Sequence, residues 1–121
     1  MIRYKGSADI ITLVATDYRY AGHAYCLHGI NGICLNDVSP GQQFQFQTTG
    51  VFSARKEDFD PEHFSFADDD VGIFYFNKDE ELSSLFGLIV SDVNPISQCF
   101  DFVLVQWYEW TVWKEVDDGE D

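Results

Sequence analysis

The segment Gln43-Phe44-Gln45-Phe46-Gln47 alternates strictly between glutamine and phenylalanine. Successive side chains of a β-strand point to opposite faces, so this period of two places both phenylalanines on one face and the glutamines on the other. The segment therefore predicts a half-buried strand. The turn sequence Ser39-Pro40-Gly41 comes directly before it and marks where the strand begins.

The rest of the chain reads as short β-rich segments separated by turns. The other predicted strands lie within residues 8–16, 18–28, 71–77, 87–90 and 99–113. The last of these is unusually long for a strand, so we expect it to bend or to pair with two different neighbours. Many short strands with turns between them predict an all-β fold, a compact antiparallel sandwich or a partly open barrel. A β-rich α+β fold is the alternative.

The dipeptide Asn31-Gly32 lies between two isoleucines and is the strongest hairpin signal in the chain. Both residues tolerate a positive φ, as the central positions of a tight hairpin turn require. A two-residue turn there sets a register in which Cys26 faces Asp37 and not Cys34. That register disfavours a disulfide between the two cysteines.

Two segments are predicted to form short helical turns. Residues 79–82 place three acids at a potential helix start, and Leu82, Leu85 and Phe86 follow at helical spacing. Residues 57–63 are the second candidate, which Pro61 limits to a single turn.

The composition of the 121 residues narrows the class of protein. A hydrophobic share of 45% with 17% aromatics suffices for a packed core and excludes wholesale disorder. The formal net charge of −14 repels phosphates, which argues against direct binding to nucleic acid. We expect no membrane span and no export signal, and three cysteines, an odd number, fit a reducing cytoplasm. Residues 1–116 are predicted to form one β-rich domain, and residues 117–121 an acidic, disordered tail.

The negative charge is concentrated in the C-terminal half. Residues 1–56 carry a net charge of +2 and residues 57–121 a net charge of −16. Such an asymmetry is typical of a surface that faces a basic partner, although a solubilising shell is the alternative. Together with the tail, the acidic residues predicted to contact the partner are Glu57, Asp58, Asp60, Glu62, Asp68, Asp69, Asp70, Asp79, Glu80 and Glu81.

An aromatic cluster near the C-terminus adds a second kind of contact. Trp107, Tyr108, Trp110 and Trp113 lie close to several acids. Because neighbouring strand residues alternate between faces, we expect Tyr108 and Trp110 inside and Trp107 and Trp113 exposed. Exposed tryptophans beside carboxylates suit a basic partner, so Trp107 and Trp113 are predicted contact residues as well.

No pattern in the chain predicts a metal site, a cofactor or catalysis. The residues with zinc-type ligand atoms in the N-terminal half are His23, Cys26, His28 and Cys34. On one strand residue 23 faces away from 26 and 28, and the spacing matches no standard zinc motif, so ordinary packing is favoured. The acids at 68–70 lack the alternating oxygens of a calcium loop. The chain contains neither a phosphate-binding glycine motif nor a nucleophile motif.

These features predict a non-enzymatic acidic binding protein that docks on a basic protein surface. The expected partners are nucleases, other nucleic-acid-binding complexes or toxins, because their substrate channels are rich in Lys and Arg. In physical type the chain resembles nucleic-acid mimics that inhibit restriction or CRISPR nucleases, and acidic toxin-immunity proteins, although it matches no motif of one such family. One alternative is a small barrel whose 11 phenylalanines line an apolar ligand pocket. Another is a structural or oligomerising subunit that pairs through the 99–113 strand.

Overall fold

The computed structural model describes residues 2–4 and 9–106 of the chain. The strands, in chain order, are β1 (Arg3–Tyr4), β2 (Ile10–Val14), β3 (Ala24–Leu27), β4 (Ile30–Cys34), β5 (Gln43–Gln47), β6 (Val51–Ala54), β7 (Phe64–Phe66), β8 (Gly72–Asn77), β9 (Leu82–Ile89) and β10 (Phe100–Leu104). A 3-10 turn, Lys56–Asp58, lies between β6 and β7. The prediction of an all-β fold with a short helical turn is confirmed. Within the described residues, no helix has the length and apolar character needed to cross a bilayer.

The strands form two antiparallel sheets. Sheet A has the order β1-β6-β10-β9-β8-β7, and sheet B has the order β2-β5-β4-β3. Neither sheet closes into a barrel in the part of the chain that the structure describes, because each ends in two edge strands. Strand β10 lies inside sheet A, paired with β6 on one side and β9 on the other. The expectation that this part of the chain offers an edge for oligomerisation is therefore wrong for the described residues.

Strand β5 confirms the alternation of the Gln-Phe segment. Phe44 and Phe46 are 2% and 0% exposed, whereas Gln43 and Gln45 lie in solvent. The two rings pack with residues of neighbouring strands and loops into a small core on one face of sheet B. Gln47 departs from the pattern, since it is buried on the opposite face of β5.

The main core lies between the sheets and consists largely of phenylalanine. Phe59, just after the 3-10 turn, is 3% exposed and lies at its centre. Its ring centroid is 5.4–6.5 Å from those of Phe64, Phe66, Phe86, Phe100 and Phe102. Four of these five contacts are edge-to-face, the arrangement that the charge distribution of aromatic rings favours. These rings therefore pack directly against one another and do not line an apolar cavity.

The hairpin between β3 and β4 turns earlier than predicted. His28 and Gly29 occupy the two turn positions with φ values of 55° and 76°, and Leu27 pairs with Ile30. The predicted turn at Asn31-Gly32 is wrong, because both residues lie inside β4.

Close packing explains why Gly32 is needed inside the strand. A Cβ atom at residue 32 would lie 2.6 Å from the ring of Phe46 and 2.8 Å from the carbonyl oxygen of Gln47. The shifted register also places Cys26 opposite Asn31 and not opposite Asp37. All three cysteines are free thiols.

The predicted helical turn at residues 79–86 is also wrong. Residues 78–81 form the loop of a hairpin, and Leu82 already begins β9. The side-chain oxygen of Asn77 accepts hydrogen bonds from the backbone N–H groups of Asp79 (3.0 Å) and Glu80 (3.3 Å), which turns the chain back. The second helical prediction, within residues 57–63, is realised only by the 3-10 turn.

The remaining predicted strands differ in how far they are realised. Those at 8–16, 71–77 and 87–90 correspond to β2, β8 and the end of β9, but the 18–28 segment is a strand only at its end. The 99–113 segment forms β10 and leaves the sheet at Val105. Residues from 107 onwards lie outside the described residues. They include the four aromatic residues of the predicted cluster and the predicted tail.

Substitution of the two glycines distinguishes the observed register from the predicted one. We expect Gly32→Ala to lower the free energy of unfolding by about 3 kcal/mol, because the new methyl group meets a packed ring and a backbone oxygen. Gly29→Ala should cost only about 1 kcal/mol, since its backbone strain is modest and the surrounding space is open. Urea unfolding of both variants measures the difference, and the reverse order would contradict the register.

Candidate functional site

Strand β8 divides the predicted acidic contacts into two groups. Residues 68–70 lie in the turn before β8, and residues 79–81 lie in the turn after it. The six residues of β8 rise by about 3.3 Å each, so roughly 17 Å or more separates the two turns. The acidic residues therefore do not share one rim of the molecule.

Local contacts assign the acids at 60 and 62 to the second turn. Lys78 Nζ lies 3.3 Å from Glu62 Oε2, and the backbone N–H of Glu62 donates to Asp60 Oδ1 at 3.0 Å. We call this group the acidic tip. Its members are Asp60, Glu62, Asp79, Glu80 and Glu81.

The acids near the first turn are more fully offset by bases. Lys56 Nζ lies 2.6 Å from Asp70 Oδ1, and Arg55 Nη1 lies 3.0 Å from Glu57 Oε1. Exposed pairs of this kind add at most about 1 kcal/mol each to stability, but they offset local charge. At the acidic tip the one ion pair among the described residues is that of Lys78 with Glu62.

Asp58 serves the fold directly, although the sequence predicts it as a contact residue. Its Oδ2 accepts the backbone N–H of Arg55 at 2.8 Å, a bond that closes the start of the 3-10 turn. Trp107 and Trp113, the aromatic contact residues predicted with the acids, lie outside the described residues.

A cleft of about 830 Å³ opens beside the acidic tip. It lies between the β3–β4 hairpin of sheet B and the β8–β9 hairpin of sheet A. The residues that determine its chemistry are Cys26, His28, Asn31, Tyr75, Glu80, Leu82, Leu85 and Val105.

Asn31 is one of the residues that line this cleft. The residue is 3% exposed, and its Nδ2 donates to the carbonyl oxygens of Leu85 (3.3 Å) and Val105 (2.7 Å). Its Oδ1 is buried and has no hydrogen-bond partner within residues 2–4 and 9–106. Leaving such an oxygen unpaired costs about 1–3 kcal/mol, so a ligand that donates a hydrogen bond to it would be stabilised there.

Gln106 holds Asn31 in place. Its Oε1 accepts the backbone N–H of Asn31 at 3.0 Å, and its Nε2 donates to the carbonyl oxygens of Asn31 and of Thr48, the latter at 2.9 Å. Gln106 is itself 2% exposed. The wall of the cleft is therefore fixed by hydrogen bonds from both sheets.

The charge of the acidic tip extends into the cleft. Burial raises the pKa of the Cys26 thiol, and the carboxylate of Glu80 raises it further. Burial likewise raises the pKa of Tyr75, Cys26 and Asp79 raise it further by smaller amounts, and the positive charge of Arg19 lowers it. Glu80 therefore adds negative charge to the lining of the cleft, and that charge attracts a cation.

One group of possible metal ligands occurs among the described residues, and it lies near the acidic tip. In residues 2–4 and 9–106, the one group of three ligand atoms within 4.8 Å of one another comes from Asp60, Glu62 and His63. This group contains none of the four residues of the N-terminal half that carry zinc-type ligand atoms, namely His23, Cys26, His28 and Cys34. Two members of the group belong to the acidic tip, and both are exposed.

The sequence did not reveal the central residue of the cleft. The sequence predicts a turn at Asn31 because it precedes a glycine, whereas the partners of its side chain, Leu85 and Val105, are more than 50 positions away. Glu80, in contrast, was among the predicted contacts. The sequence predicts a buried position for Asn31 only if the turn is assigned to His28-Gly29. That assignment places Asn31 on the face of β4 that meets sheet A.

Comparison with known proteins finds no relative: no protein-family model matches the chain, and no curated protein or solved structure is significantly similar to it. The cleft and the acidic tip are therefore the observations from which a function can be argued.

The influence of Glu80 on Cys26 can be measured by alkylation at a series of pH values. Hydrogen bonds from Ser97 and Arg55 lower the pKa of Cys99, so Cys99 should react with iodoacetamide at lower pH than Cys26. Glu80→Gln should shift the Cys26 profile towards lower pH and leave that of Cys99 in place. Mass spectrometry resolves the two sites. Two results would contradict the geometry of the cleft. In one, Cys26 and Cys99 show the same dependence of alkylation rate on pH; in the other, Glu80→Gln leaves that dependence unchanged for Cys26.

Proposed function

We propose that the chain is a non-enzymatic acidic binding protein that docks its acidic tip on a basic surface of another protein. The observation that carries this proposal is a group of five acids for which the described residues supply one ion pair, that of Lys78 with Glu62, beside a cleft that Glu80 and Asn31 line. Complementary charge accelerates association and excludes partners of the same sign.

The partner class follows from the chemistry of the tip. Proteins that handle nucleic acid line their channels with Lys and Arg, which hold the negatively charged phosphates. A group of carboxylates carries negative charge as the phosphates do, so it can bind in such a channel. The chain accordingly acts as an inhibitor or nucleic-acid mimic in the cytoplasm. A nuclease of a restriction or CRISPR system is one fitting target, and a toxin neutralised by an immunity protein is another.

The acidic tip is the favoured end of sheet A for two reasons. At the opposite end, Lys56 and Arg55 each pair with an acid, which weakens the field there. The tip also adjoins the cleft, so a partner that binds it meets both charge and a concave surface. Concave, desolvated sites beside charged rims are where binding energy concentrates in protein interfaces.

Binding of an apolar ligand has less support. Seven of the 11 phenylalanines lie in or against the main core and two lie in the smaller core of sheet B. None of the 11 is among the described residues that line the cleft. The cleft lining combines amide, hydroxyl and carboxylate groups with a few aliphatic side chains.

Two charge-matched variants test the docking surface. The tip variant carries Asp79→Asn, Glu80→Gln and Glu81→Gln, and the control carries Asp68→Asn, Asp69→Asn and Asp70→Asn, so each loses three negative charges. The unmodified protein first captures its partner from host extract at low salt, and mass spectrometry identifies it. Titration calorimetry with the purified partner then gives the affinities.

We expect the tip variant to bind at least about tenfold more weakly and the control to lose less than about threefold, with binding weakened further at high salt. Equal losses in both variants, binding that survives high salt unchanged, or a failure to capture any basic protein would contradict the proposal.

A further inference from the structure

We propose that the cleft between the β3–β4 and β8–β9 hairpins is a pocket for the guanidinium group of an arginine side chain. This inference rests on the proposed function, because it names the group on the basic partner that the acidic tip guides into place.

The orientation of the Asn31 amide determines what the pocket can accept. Both hydrogens of Nδ2 are used, one by the carbonyl oxygen of Leu85 and one by that of Val105. Rotating the amide by 180° would break both bonds and bring its oxygen against two carbonyl oxygens, so the orientation is fixed. Asn31 lines the cleft, and its buried Oδ1 is the atom left without a partner among the described residues, so only a group with an N–H or O–H donor would satisfy it.

The charge around the cleft selects a cation among such donors. Glu80 lines the cleft and Asp79 precedes it in the same loop, while no Lys or Arg is among the described lining residues. A neutral donor would satisfy Oδ1 but leave the carboxylate of Glu80 without a partner. A cationic donor serves both groups.

The walls favour arginine over lysine. Tyr75, whose ring also stacks on that of His63, contributes a partly buried aromatic side chain to the lining. Leu82 in the lining is 62% exposed, so an aliphatic stem can lie against it. A planar guanidinium stacks on aromatic faces and carries five N–H donors in a fixed fork, so it can reach Asn31 Oδ1 and a carboxylate together. The ammonium of lysine is a compact point charge without that fork.

Titration of the 15N-labelled full-length chain with short peptides tests this pocket. The probes are acetyl-Gly-Arg-Gly-amide, the same peptide with citrulline, which keeps the shape but lacks the charge, and the same peptide with lysine. We expect saturable shifts of the Asn31 side-chain amide and of the Glu80 backbone with the arginine peptide. The citrulline peptide should bind at least about tenfold more weakly, and the lysine peptide several-fold more weakly.

Variants at exposed positions avoid the risk of unfolding. Glu80→Gln should weaken the arginine peptide by about threefold to tenfold, and Asp68→Asn, which removes the same charge at the far end of β8, should leave it unchanged. Equal affinity for arginine and citrulline, shifts confined to residues away from the cleft, or equal effects of the two variants would overturn the pocket. Nuclear Overhauser contacts in the free protein between the Asn31 amide and residues after Gln106 would also overturn it.

The results separate this inference from the proposed function. If the arginine peptide fails to bind while the tip variant still loses its partner, the docking function stands and the pocket falls. If the peptide binds in the cleft while the tip variant keeps its partner, the pocket stands and the docking surface falls.

Discussion

Two buried amide side chains, those of Asn31 and Gln106, fix how sheet B lies on sheet A. Gln106, just after β10, bonds the backbone of Asn31 in β4 and of Thr48 after β5, while the side chain of Asn31 bonds Leu85 and Val105. The phenylalanine core supplies most of the stabilisation, but apolar burial is not directional. Hydrogen bonds with defined partners are what select one placement of the sheets, and the wall of the cleft depends on that placement.

The order of the strands determines where the negative charge lies on the molecule. Because β8 places residues 68–70 and 79–81 at opposite ends, the surplus of acids in the C-terminal half forms two separate regions. Surface bases offset one region, and the other adjoins the cleft that Asn31 lines. A buried acceptor that costs stability in the free protein is a feature expected where a ligand completes the hydrogen bonding.

Local patterns predicted those parts of the fold that local physics determines. The alternation at 43–47 identified β5 because strand periodicity is a property of neighbouring residues. The predicted turn at Asn31-Gly32 is wrong because the chain also offers His28-Gly29, and Gly32 is needed inside β4, where a Cβ atom would meet the distant ring of Phe46. The predicted helical turn at residues 79–86 is also wrong for a reason that lies outside the segment. Phe86 is buried in the main core, and this burial overrides the helical spacing of the segment. The acids of the site could be predicted from composition, but their division between two ends required the order of the strands.

The stability of Gln106→Leu tests most directly whether the buried amides hold the two sheets together. The substitution nearly preserves volume but leaves the N–H and carbonyl of Asn31 and the carbonyl of Thr48 without this partner. Urea unfolding should show a loss of about 3 kcal/mol or more in the free energy of unfolding. Gln45→Leu, at an exposed position of β5, should change it by less than about 0.5 kcal/mol. Similar values for the two variants would contradict the account.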